Sequence, residues 1–97
     1  MKIRILGCGG SFGSPLAWER NGSINIDNPR NFRTRSSILI SDNTTNLLID
    51  TSPDLRQQLY NAKCTKIDAV LYTHIHSDHV AGIPDMRAVS IINDNII

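Results

Sequence analysis

The sequence predicts an α/β (α+β) domain built on a mixed β-sheet with flanking helices. Three observations predict it. Residues 2–6 alternate polar and apolar, and two short apolar runs, at 36–40 and 46–49, flank a polar turn. A nearly continuous apolar run at 67–72 then follows a stretch with helical spacing. A chain of 97 residues holds at most one such domain, with a modest core.

In the first strand Ile3 and Ile5 share one face. The loop Gly7-Cys8-Gly9-Gly10-Ser11-Phe12-Gly13-Ser14-Pro15 follows, with four glycines. Backbone N–H groups in such a loop can approach an anion, but it matches no nucleotide-binding pattern, and a turn after an edge strand explains it as well. Residues 16–35 show no periodicity, which in a compact domain marks a functional or a disordered connection. Its charges are Glu19, Arg20, Asp27, Arg30, Arg33 and Arg35, four positive against two negative. Arginine suits bidentate contacts to phosphate oxygens, although a solvated basic loop is the commoner explanation.

The runs at 36–40 and 46–49 enclose Ser41-Asp42-Asn43-Thr44-Thr45, a hairpin signal. Past Asp50, Ser52 is a good N-cap and Pro53 suits a first helical position. Leu55, Leu59 and Ala62 recur at helical spacing, so a helix is expected over 53–62. The run Ile67-Asp68-Ala69-Val70-Leu71-Tyr72 reads as a strand buried on both faces. A second helix is expected over 84–92, with Met86 and Val89 on one side and Ile92 or Asn93 continuing it.

Hydrophobic content of 40% and charged content of 20% suit a globular chain, and a net charge of +1 calls for neither nucleic acid nor a membrane surface. Cys8 and Cys64 fit no disulfide framework, so a reducing cytoplasm is the expected compartment. The first residues reach Gly7 before any long apolar run, so no signal peptide or membrane span is expected there.

The densest chemistry lies at Thr73-His74-Ile75-His76-Ser77-Asp78-His79, which holds all three histidines of the chain. At a strand end, residues two apart project together, so His74 and His76 can converge on one ion while Ile75 packs inward. Asp78 and His79, in the following turn, suit a second ion. Imidazole with carboxylate ligates Zn²⁺, and also Mn²⁺ or Fe²⁺. Two ions about 3.5–4 Å apart can clamp both oxygens of a hydrolytic displacement. A chance cluster or a single adventitious site is the alternative, and the ligand density disfavours it.

His74-Ile75-His76-Ser77-Asp78-His79 strongly resembles the H-x-H-x-D-H signature of the metallo-β-lactamase superfamily. The likeness extends to Leu6-Gly7-Cys8-Gly9-Gly10-Ser11 and to Arg33-Thr34-Arg35-Ser36-Ser37-Ile38-Leu39-Ile40. It also takes in Leu48-Ile49-Asp50-Thr51-Ser52-Pro53-Asp54-Leu55-Arg56, and His79-Val80-Ala81-Gly82 running on to Arg87. These segments look like the PhnP-like phosphodiesterase branch, which lies near the tRNA 3′-processing nucleases.

The resemblance implies an αββα sandwich, of which this chain carries the N-terminal half. It implies zinc at two sites, with His74 and His76 on one ion and Asp78 and His79 on the other. The implied reaction is hydrolysis of a small phosphodiester, cyclic or of nucleic-acid type, with Asp78 as the catalytic residue that helps to orient the attacking group. Asp50 looks like the acidic residue that supports such a site from behind its ligands, or equally a turn aspartate. Arg35 and Ser36 are weaker candidates for substrate or structural roles. Some relatives hold a structural zinc through cysteines after the first strand; residues 18–23 contain none, so none is expected here.

No histidine follows His79, and Asp85 and Asp94 are the only later acids. Each ion therefore has two obvious ligands, where catalytic zinc takes three protein ligands. The expectation is a chain truncated at its C-terminus, with an exposed sheet edge and an uncovered apolar face. Such surfaces favour association, including with a complementary C-terminal fragment. Two other functions compete: an inactive remnant that at most binds metal weakly, and a hydrolase of thioesters or β-lactams. The Arg33-Thr34-Arg35-Ser36-Ser37 stretch and the lack of a signal peptide disfavour the latter.

Overall fold

The computed structural model describes residues 1–18 and 27–93. Glu19, Arg20 and Asp94, and the chain end at Ile97, lie outside the described residues. Within them, β1 (Lys2–Gly7), β2 (Ser37–Ser41), β3 (Asn46–Ile49) and β4 (Ala69–Leu71) form a sheet in the order β1-β2-β3-β4. The first two pairings are antiparallel and β3–β4 is parallel, which makes the expected mixed sheet. Helices α1 (Leu55–Ala62), α2 (Ser77–Val80) and α3 (Met86–Asn93) follow the strands, the last behind a 3₁₀ turn at Ile83–Asp85.

Local chemistry sets these boundaries. Asp42 Oδ1 accepts from Thr44 N at 2.9 Å and Thr45 N at 2.8 Å, closing the β2–β3 hairpin. Helix α1 begins two residues later than expected. Ser52 Oγ accepts from Asp54 N and Ser52 O from Leu55 N, both at 3.1 Å, so Pro53 and Asp54 form a turn before the helix. Lys63 ends α1 in the left-handed conformation, φ 54°, with its N–H on the last carbonyls. The α1 crossover then returns the chain to lie parallel beside β3.

Leu39 and Leu48 on one sheet face pack with Leu55 and Leu59 of α1, Ile67, and Met86 and Val89 of α3. Met86 and Val89 are buried, as their spacing predicts. The opposite face is different. Register aligns Ile5, Ile38, Ile49 and Leu71 in one row and Ile3, Ile40, Leu47 and Ala69 in the next. Ile3 and Ile5 are each 66% exposed and Leu71 is 55% exposed. The strand expected at 67–72 is thus shorter than expected and buried on one side only. Among the described residues, helices cover a single face. No helix among them is long and apolar enough to cross a membrane.

Asp68 clasps the start of β3 to β4. Its carboxylate accepts from Asn46 N at 2.7 Å and lies 3.3 Å from Lys66 Nζ. The Asn46 N–H, helped by Lys66, holds the Asp68 carboxyl below the usual carboxylate range. A depressed carboxyl pKa adds stability above the unfolded-state value, and that stability is lost as pH falls through the folded value. Asp68→Asn is therefore expected to unfold at lower urea than wild type at pH 7. The gap should close below about pH 4. A gap that persists unchanged at pH 3 would show that the charge is not its source.

Candidate metal centre

Strands β1, β3 and β4 point the same way, so the Gly7 loop, Asp50 and the histidine segment gather at one end of the sheet. Asp50 sits at the centre of this end. Its backbone is left-handed, φ 65°, a conformation Asp adopts more readily than most residues. Its N–H donates to Leu71 O at 2.9 Å, and its carbonyl accepts from Ser37 Oγ at 2.9 Å. That posture turns the carboxylate, 4% exposed as a residue, toward the histidines. Oδ1 accepts from Thr73 N at 2.8 Å; Oδ2 accepts from Thr73 Oγ1 at 2.8 Å and meets His79 Nδ1 at 2.7 Å. Burial pushes the Asp50 carboxyl up, but the Thr73 N–H, His79 and the Thr73 hydroxyl together outweigh it and hold it below the usual range.

An ionised Asp50 assigns the protons around it. Carboxylate can only accept, so His79 carries its proton on Nδ1 and keeps the Nε2 lone pair free. That Nε2 lies 3.3 Å from Oδ2 of buried Asp78. The Thr73 hydroxyl spends its hydrogen on Asp50, so its oxygen accepts from His74 Nδ1 at 2.9 Å. His74 Nε2 is then also a free lone pair, 3.1 Å from His76 Nδ1. One aspartate thus fixes the tautomers of two histidines, one directly and one through a threonine.

The two donor pairs adjoin. Ring centroids of His74 and His79 are 4.1 Å apart, and those of His74 and His76 are 4.5 Å apart. Two nitrogens bound tetrahedrally to one zinc at about 2.0–2.1 Å lie roughly 3.3–3.4 Å apart. The observed separations of 3.1 and 3.3 Å match that bite. Each pair thus presents two donor atoms close enough to share one cation. No group of three His, Cys, Asp or Glu side chains among the described residues is arranged to hold a metal. The donors come as pairs.

Of the residues singled out in the sequence, His74, His76, Asp78, His79 and Asp50 are brought together. Ile75 is a correction. It points outward, 88% exposed, because the segment lies past the end of β4 and no described element packs over it. Asp78 and His79 lie in α2, a single helical turn, and the extended backbone at His76 (φ −60°, ψ 145°) keeps His74 and His76 on one side. Arg35 turns elsewhere. Its N–H donates to Asp54 Oδ2 at 2.9 Å and its Nη2 to Oδ1 at 3.1 Å, tying the entry of β2 to α1. Its Nε lies 2.8 Å from Oδ2 but out of line for a hydrogen bond. Ser36 is half-buried before β2, and Asp85 belongs to the 3₁₀ turn.

Three residues that the sequence motifs include without a role of their own support the site: Thr73, Ser37 and Gly82. Thr73 adjoins the motif, and a hydroxyl that can both donate and accept was its only signal. Gly82 N donates to Thr51 O at 3.0 Å, and Thr51 N donates to His79 O at 2.9 Å, so this loop holds His79 against β3.

A mixed sheet with paired imidazole and carboxylate donors at its C-terminal strand ends places the chain among α+β proteins with a strand-end site. Residues 45–95 match the family model described as a β-lactamase superfamily domain, and the chain belongs to that superfamily and shares the metallo-β-lactamase fold. A protein named octanoyltransferase from Porphyromonas gingivalis is 41% identical over 90 residues, covering 92% of this chain and 18% of that protein. A ribonuclease Z from Clostridium kluyveri is 31% identical over 88 residues, covering 89% of this chain and 24% of the relative.

Among solved structures, a diphosphatase from the PhnP family superposes with a TM-score of 0.89 at 34% identity, over 96% of this chain and 37% of that one. Zinc-bound PqqB from Methylobacterium extorquens gives 0.73 at 28% identity, over 98% of this chain and 43% of that one. The chain therefore spans less than half the length of each of these relatives.

Proposed function

We propose that the chain is a zinc-type metallohydrolase of phosphoric esters, a phosphodiesterase by lineage. The observation that carries the reading is the pair of donor bites, 3.1 Å between His74 and His76 and 3.3 Å between Asp78 and His79, meeting at one strand end. Similarity to a PhnP-family diphosphatase and a ribonuclease Z supports phosphorus as the centre attacked, and similarity to zinc-bound PqqB supports zinc, with Mn²⁺ or Fe²⁺ as substitutes of like ligand preference.

In this reading His74 and His76 hold one ion, and Asp78 and His79 the other. Ions there would supply Lewis acidity at the phosphoryl oxygens and lower the pKa of water. Asp50 and Thr73 direct the ring N–H groups of His79 and His74 to Nδ1, away from the ligating Nε2 atoms. Buried Asp78 gives one oxygen to the His79 pair, and its other oxygen can orient the attacking water. Free Cys8 and Cys64 are consistent with a reducing cytoplasm.

The same geometry favours a second reading for these 97 residues alone. Two donors per ion are fewer than the three of a catalytic zinc site, so the chain would bind metal weakly and turn over little. Metal content of the purified chain, measured with hydrolysis of bis(p-nitrophenyl) phosphate, separates the two. Two bound ions with clear turnover support the hydrolase. Bound metal without turnover supports the binding-only reading, and a chain that takes up no zinc sinks both.

A further inference from the structure

At the same end of the sheet, beyond β1, lies a cavity of about 300 Å³ that the metal reading does not use. Ile5, Leu6 and Phe32 give it apolar walls, and Arg30 and Arg33 give it two guanidinium groups beside Cys8. Arg33 Nη1 donates to Cys8 Sγ at 2.9 Å, a weak acceptor for a full charge. No carboxylate lines the cavity beside Arg30 and Arg33, whereas Arg35 is committed to Asp54.

The segment that carries them is pinned. Arg33 and Ser14 exchange both backbone hydrogen bonds, at 2.8 and 2.9 Å, and Gly9 N donates to Thr34 O at 2.7 Å. Ser14 Oγ donates to Asn31 O at 2.6 Å, and Asn28 Oδ1 accepts from Arg30 N at 3.0 Å. Both arginines therefore stand on a backbone already held in place, which lowers the entropy cost of gripping an anion.

Guanidinium pairs match phosphate oxygens, while an exposed phenylalanine beside apolar walls matches the face of an aromatic base. Phe32 is 55% exposed. Sheet order places this cavity three strand spacings from the histidine segment, roughly 14 Å across the same edge. That is too far for one phosphate to reach both, and about the reach of a substrate with a second phosphorylated part.

We infer that the Arg30–Arg33–Phe32 cavity is the subsite for a nucleotide end of the substrate, its phosphate on the arginines and its base against Phe32, while the scissile phosphoryl lies at the histidines. This rests on the hydrolase reading for the scissile group, but the subsite is measured without metal.

The test is titration of the metal-free full chain at low salt with adenosine 5′-monophosphate, adenosine and inorganic phosphate, followed by NMR shifts and calorimetry. The nucleotide should bind tighter than either part, with shifts at residues 5–8 and 30–34. Arg33→Ala and Arg30→Ala should each weaken it about tenfold. Arg33→Lys, which keeps charge and fold, should lose part of that affinity, and His79→Ala should lose none. Equal binding of nucleotide and adenosine, or affinity that survives the double arginine-to-alanine change in a folded chain, overturns the subsite. Loss of zinc uptake with nucleotide binding intact would instead count against the metal reading alone.

Discussion

Asp50→Asn is expected to weaken zinc binding at both donor pairs about 100-fold while leaving the fold in place. The change keeps size and shape, and Asn adopts the left-handed backbone, φ 65°, at least as readily as Asp. What changes is the direction of the hydrogen bonds. An amide NH₂ in place of Oδ2 would face Thr73 Oγ1 and His79 Nδ1, the two partners now at 2.8 and 2.7 Å. Donating to both, it leaves Nδ1 of His79 an acceptor and moves that proton to Nε2, the atom beside Asp78. The Thr73 hydroxyl, no longer spending its hydrogen on a carboxylate, turns it to His74 Nδ1 at 2.9 Å and drives the His74 proton onto Nε2 as well.

One substitution thus blocks a ligating nitrogen in each pair. Partners of this kind commonly change metal affinity 10–100-fold, and acting on two pairs the effect should lie at about the upper end. Competition with a zinc-chelating dye measures the affinity, and nitrogen chemical shifts of the imidazoles report the tautomers directly. His79→Ala is the comparison, since it removes one pair and leaves the other. If the Asp50→Asn protein takes up zinc within about threefold of wild type, the relay through Thr73 is wrong.

That relay shows where sequence reading reached and where it stopped. The hairpin was legible because Asp42 and its threonines are turn chemistry acting over three residues. Helix α3 was legible because Met86 and Val89 repeat at its period. The histidine cluster was legible because density of ligands is a one-dimensional property. Ile75 and Leu71 were misread because apolar character was taken for burial, and burial is decided by whether another layer lies over the residue. Here the helices lie over Leu39 and Leu48, while Ile5, Ile38, Ile49 and Leu71 form a row on the other side. Asp50 could be suspected from its position at a strand end, but its left-handed backbone could not. Neither could the role of Thr73, which depends on where the carboxylate 23 residues earlier points. Arg30 and Arg33 were visible as charges, and only the fold separates them from Arg35, whose side chain Asp54 engages.

Gly82→Ala is expected to be strongly damaging for so small a change beside His79. Its backbone is ordinary, φ −83°, so the glycine is required by space and not by conformation. A Cβ there would stand 2.2 Å from Ser52 O, 2.9 Å from the Thr51 carbonyl carbon and 3.1 Å from Leu55 Cβ. None of these can swing aside. Thr51, Ser52 and Leu55 are all 0% exposed, and two of the three contacts are backbone.

Relief therefore means parting the two chains, which stretches the bonds from Gly82 N to Thr51 O and from Thr51 N to His79 O. Overpacking at about 1–3 kcal/mol, with a buried hydrogen bond lost at about 1–3 kcal/mol, suggests a cost of about 3 kcal/mol. For a domain this small that lowers Tm by roughly 12–24 °C. Because the parting pulls the backbone of His79 away from Asp50, zinc affinity should fall with stability and not after it. Gly10→Ala is the control, with nothing within 4 Å of its Cβ, and should change neither. Denaturant unfolding and zinc titration of both variants decide the point. A Gly82→Ala chain within about 1 kcal/mol of wild type would mean that the Thr51–Gly82 contact does not hold the histidine in place.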